Sequence, residues 1–95
     1  MTTKLFIANY EGMQTNKKVI NKCSGYGSSK LEALTDLFWE MMDKYPTFKV
    51  AVDEDEENGY EKYFGENSTL PTEQELQDLI IDHADYYGNI KITEE

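Results

Sequence analysis

The sequence predicts a small α+β domain, a mainly antiparallel sheet with two helices on one face in the order β-β-α-β-β-α-β. Three observations carry this. Two capping-box segments, Ser29 to Glu32 and Thr72 to Glu75, each precede an apolar stripe of helical period. Apolar residues alternate with polar ones around Phe48 to Val52 and Ile90 to Ile92, the period of a strand. The connections are short and marked by glycine or asparagine, which suits hairpins. Ninety-five residues allow one core, so residues 1–95 are read as a single domain.

The first strand is expected over Lys4 to Tyr10, where the apolar run Leu5 to Ala8 predicts cover on both faces. Gly12 to Asn16 then forms the turn, and Lys17 to Cys23 the antiparallel partner. Ser24 to Ser29 reads as a glycine-rich break through Gly25 and Gly27. Ser29 caps the first helix, with Glu32 reaching back to the cap. Leu31, Leu34, Leu37, Phe38, Met41, Met42 and Tyr45 fall within an arc of about 140°. Pro46 ends this helix, because the residue before proline is pushed out of the helical region.

Phe48, Val50 and Val52 then predict a strand with one buried face. The acidic run Asp53 to Glu57 leads to Asn58 and Gly59, a hairpin signal, with Tyr60 to Phe64 returning. Thr72 caps the second helix, whose stripe is Leu76, Leu79, Ile80, His83 and Tyr87, with Gly88 as its stop. Ile90 and Ile92 form a short last strand.

Charge is the strongest functional signal. Residues 1–52 hold seven lysines and five acids, whereas residues 53–95 hold fourteen acids against Lys62 and Lys91, for a net −10 overall. All nine bases are lysines, and arginine, the usual reader of phosphate, is absent, so direct nucleic-acid binding is not expected. No apolar run approaches the roughly 20 residues that cross a bilayer, and no signal sequence precedes the first strand, so the expected location is the cytoplasm. A lone Cys23 forms no internal disulfide, and zinc-ligand spacing is missing. Stability rests on packing, with homodimerisation as a further source.

Winding the second helix places Glu75, Asp78, Asp82 and Asp85 within about 80°, opposite the apolar stripe. An amphipathic helix needs a polar face, but this one carries no lysine or arginine to relieve repulsion at four-residue spacing. Successive carboxylates lie about 4.5 to 6 Å apart along the axis, of the order of phosphate spacing on one DNA strand. The ridge therefore suits a cationic groove built for nucleic acid. Asp53, Asp55, Glu57 and Glu61 extend it if the predicted hairpin lies beside the helix. The run Asp53 to Glu57 lacks the glycine and glutamate that a calcium loop needs at its sixth and twelfth positions, and no metal or cofactor is expected. Trp39, at the border of the first helix's apolar arc, and Tyr60, beside the acidic run, are candidate anchors for a partner.

His83 reads as a hydrogen-bonded core histidine and Cys23 as a small core residue, and together they are the sole candidate catalytic pair. No phosphate loop, dinucleotide fingerprint or nucleophile elbow occurs, so a non-enzymatic role is expected. The segment Ser24, Gly25, Tyr26, Gly27, Ser28, Ser29, Lys30, Leu31, Glu32, Ala33, Leu34 resembles the start of the last helix in double-stranded RNA-binding domains, and is similar to a helix start in HicB-type antitoxins. It covers about a tenth of the chain, and of the RNA-binding family's basic helix start only Lys30 is present, so no family is assigned.

The expectation is thus a protein-binding module whose acidic face docks on a basic, nucleic-acid-binding protein. The setting that fits is a phage or mobile-element inhibitor of a host defence system, an anti-CRISPR or anti-restriction DNA mimic. The alternatives are an adaptor or antitoxin-like subunit pairing through a sheet edge or apolar patch, and a small enzyme using Cys23 and His83.

Overall fold

The computed structural model describes residues 4–13, 19–65, 68, 70–84 and 87–95. β1 (Phe6–Met13) is the middle strand of a three-stranded sheet, flanked by β2 (Val19–Gly27) and β3 (Tyr87–Glu94), with both pairings antiparallel. The α+β class is as the sequence predicts. The five-strand order is not: the described elements are three strands and four helices.

β1 does not carry cover on both faces. Ala8, Tyr10 and Gly12 are buried and alternate with half-buried Ile7, Asn9, Glu11 and Met13, so one side of the strand packs on the core. β1 runs three residues past the predicted Tyr10, into the expected turn, and residues 14–18 lie outside the described residues. β2 continues through Gly25 to Gly27 where a break is expected. The glycines are there because a helix crosses them. A Cβ on Gly25 would sit 2.6 Å from Leu37 Cα and closer still to Leu37 N and Ala33 O, and one on Gly27 would sit 2.6 Å from Ala33 N. That helix is α1 (Lys30–Lys44), which lies on β2 and β1.

The Ser29 hydroxyl accepts the Glu32 N–H at 3.1 Å as predicted, but the Glu32 carboxylate reaches one residue further back, to the Ser28 N–H at 2.8 Å and the Ser28 hydroxyl. α1 buries Leu34, Leu37, Phe38, Met41 and Met42 of the predicted stripe together with Ala33, while Leu31 and Tyr45 at the two ends of the stripe are half-buried. Side chains of α1 and of its C-cap Tyr45 also reach β2: Tyr26 N–H donates to Asp36 at 2.8 Å, and Lys22 C=O accepts from Lys44 Nζ at 2.7 Å and from the Tyr45 hydroxyl at 2.9 Å. Backbone groups of an edge strand are thereby occupied, which blunts pairing there.

The predicted strand at Phe48 is a helix, α2 (Pro46–Glu54). Pro46 ends α1 and also occupies the first helical position of α2, where its fixed φ and missing N–H are no penalty. Phe48 and Val52 are one helical turn apart and buried, while Val50 is 52% exposed, so the three do not share a strand face. The Asn58 and Gly59 hairpin is likewise a turn between helices. Asp55 Oδ1 accepts the Asn58 N–H at 2.9 Å, and the chain turns into α3 (Tyr60–Phe64), which replaces the predicted returning strand.

α4 (Glu73–His83) starts at a complete capping box, with Thr72 Oγ1 accepting the Glu75 N–H at 3.2 Å and Glu75 Oε1 accepting the Thr72 N–H at 3.1 Å. Leu76, Leu79 and Ile80 are buried as predicted. The helix stops before Tyr87, which belongs to β3 and not to the helical stripe, so the last strand is longer than expected. Tyr10, Phe38, Phe48, Leu34, Leu37, Met41, Leu76, Ile80 and Val52 fill the core between sheet and helices.

Candidate functional site

The acidic face is built outward from the α4 cap. Because the capping box fixes where the helix starts, the 3.6-residue period puts Leu76, Leu79 and Ile80 inside and leaves Glu75, Asp78 and Asp82 exposed. These carboxylates are not equivalent. Glu75 is committed to the cap: hydrogen bonds from Thr72, with Lys62 of α3 nearby, hold its carboxyl below the usual carboxylate range. Asp78 accepts one bond from the Gln74 amide at 3.0 Å. Asp85, the fourth member of the predicted ridge, lies outside the described residues, and α4 ends before it.

The acidic run divides between two neighbourhoods. Asp53, in the last turn of α2, pairs with Lys49 at 2.7 Å. Asp55 instead faces α4: its Oδ2 lies 2.8 Å from His83 Nε2, while His83 Nδ1 lies 2.8 Å from the Leu79 carbonyl. Both His83 partners are acceptors when Asp55 is ionised, so the two ring nitrogens donate together only in the imidazolium form. The Asn58 N–H and then the His83 ring hold the Asp55 carboxyl below its ordinary value. The hydrogen-bonded histidine expected at position 83 is therefore a latch between the α2–α3 turn and α4. It brings one residue of the acidic run against the end of the acidic helix. Glu57 and Glu61 are exposed, on the turn and on α3.

Trp39 and Tyr60 meet edge to face, ring centroids 6.2 Å apart, and Phe64 closes on both at 5.5 and 5.8 Å. A strand reading keeps positions 60 and 64 on one face but about 13 Å apart, too far for their rings to meet, and so gives no reason to single out Phe64. As a helix, positions 60 and 64 lie one turn apart on one face.

Cys23 lies buried on β2, and His83 is the last residue of α4. Both ring nitrogens of His83 are engaged elsewhere, and burial pushes the Cys23 thiol up, away from the thiolate. Among the described residues, no three His, Cys, Asp or Glu side chains converge as metal ligands, and no helix is long and apolar enough to cross a membrane. No family model matches this chain, and no curated protein or solved structure matches it.

Proposed function

We infer that this chain is a non-enzymatic protein-binding module whose acidic half docks on a cationic surface of a partner, the kind of surface that nucleic-acid-binding proteins present. One observation carries the reading: Asp78 and Asp82 stand exposed on a helix without a lysine or arginine, opposite its buried stripe. The His83–Asp55 latch supports it by fixing a further carboxylate at the end of the same helix. Glu75 belongs to this face as the residue that sets the helix start. Association with a cationic partner would be electrostatically steered and strongly salt-dependent. Carboxylates at this spacing suit a groove built for phosphates, and the corresponding biology is a phage-encoded inhibitor that imitates DNA before a host defence protein.

Capture from host lysate at low salt, followed by a salt series, tests this. The expected result is a nucleic-acid-binding protein released at moderate salt, and its loss with the Asp78→Lys, Asp82→Lys variant. Undiminished capture by that variant refutes acidic docking and favours the adaptor reading. Under that reading pairing runs through β3, since α1 side chains occupy groups of the opposite edge strand.

A further inference from the structure

Trp39 is the chain's sole tryptophan and is 44% exposed, yet Phe38, Phe64 and Tyr60 hold its ring at centroid distances of 5.2, 5.5 and 6.2 Å. A large ring fixed by three others has little rotamer freedom left to lose when a partner covers it. A groove opens on each side of it. One, of about 410 Å³, runs between Leu31, Thr35, Phe64, Leu70 and Pro71; the other, of about 370 Å³, lies between Met42 and Tyr60. Leu70 stands 82% exposed at the rim of the first. Leu31, Thr35, Trp39 and Asp43 follow at four-residue spacing, so the trough extends along α1 for about 18 Å.

The rim is anionic. Glu32 and Asp36 border the first groove, Asp43 and Asp53 the second. Glu32 and Asp36 are pinned by the Ser28 and Tyr26 N–H groups, so their charges are fixed in place. Lys49, the base lining the second groove, is already paired with Asp53 at 2.7 Å. An apolar floor with a fixed acidic rim is complementary to a helix that is apolar along one stripe and cationic beside it. A second copy of this chain, at net −10, brings the wrong sign.

We propose that this trough docks an amphipathic helix of a partner protein, one that sets a large apolar side chain against Trp39 and lysines or arginines against Glu32, Asp36 and Asp43. The proposal rests on the cationic-partner reading and gives that partner an apolar anchor, since tryptophan in a desolvated contact dominates binding energy and its face also attracts cations.

The single tryptophan makes the test direct. The full chain is titrated with a Leu/Lys amphipathic helical peptide and with a lysine-only peptide of equal length. The expected result is a blue shift of Trp39 emission and shielding from iodide with the first peptide only. Leu70→Ser, which removes an exposed side chain and leaves the core intact, should weaken binding about tenfold, and Trp39→Ala, followed by calorimetry, at least as much. Unshifted emission at saturation, or equal affinity for Leu70→Ser and wild type, overturns the trough. Binding that is indifferent to Trp39 and Leu70 but lost in Asp78→Lys, Asp82→Lys overturns the trough and leaves acidic docking standing. Failure of both peptides to bind the wild type overturns both. Burial of Trp39 by self-association without peptide overturns it as well.

Discussion

At the scale of single residues, the most demanding position is Gly25. It lies on β2 directly beneath α1, and any side chain there enters the backbone of Ala33 and Leu37. Backbone has no rotamer with which to yield, so Gly25→Ala must lift the helix from the sheet. Overpacking of this kind costs about 3 kcal/mol or more, at the upper end of small-to-large core changes. The expected outcome is a urea midpoint lowered with an unchanged slope, and a near-wild-type midpoint would contradict the close crossing. Sequence shows two glycines before a capping serine, which reads equally as a loop or as a strand beneath a helix. What decides is a helix that begins after only two intervening residues and doubles back over the strand.

At the scale of elements, legibility followed the distance over which each element is determined. α1 and α4 were readable because caps and stripes lie within a few residues of one another. α2 was not, since Phe48 and Val52 satisfy both periods and only the exposure of Val50 separates them. The ridge on α4 was legible because a helix start fixes every face after it, whereas the His83–Asp55 latch joins residues 28 apart. Thr72→Ala should therefore destabilise α4 by about 1 kcal/mol, read as a lower thermal midpoint and loss of amide protection in its first turn. The latch carries its own pH signature. Asp55 and Glu75 have folded-state pKa values below their unfolded ones, so their contribution is fully present above the ordinary carboxylate range and is lost as pH falls through the depressed folded values. The thermal midpoints of wild type and Asp55→Ala should differ at neutral pH and converge as pH drops below about 4. A gap that stays constant into acid would show that Asp55 acts through packing and not through its charge.

For the whole molecule, nineteen acids face nine lysines. The ion pairs among the described residues are Lys4–Glu94, Lys49–Asp53 and His83–Asp55, and the first two are exposed. Exposed pairs contribute little, so the summed repulsion of a net −10 outweighs the attraction they supply. Salt then acts with opposite signs on two properties of the same chain. Screening shortens from about 30 Å at 0.01 M to about 3 Å at 1 M, which relieves repulsion in the folded state and weakens attraction to a cationic partner. The thermal midpoint should rise with sodium chloride, by about 4 to 8 °C for each kcal/mol of repulsion removed, while partner affinity falls across the same range. Chloride is the proper anion, since sulfate would also strengthen apolar burial and confound the reading. Asp78→Asn, Asp82→Asn should flatten both dependences together, because the same carboxylates feed both. A midpoint that falls with salt would mean that ion pairs dominate the fold, and would remove the charge surplus as the source of the binding surface.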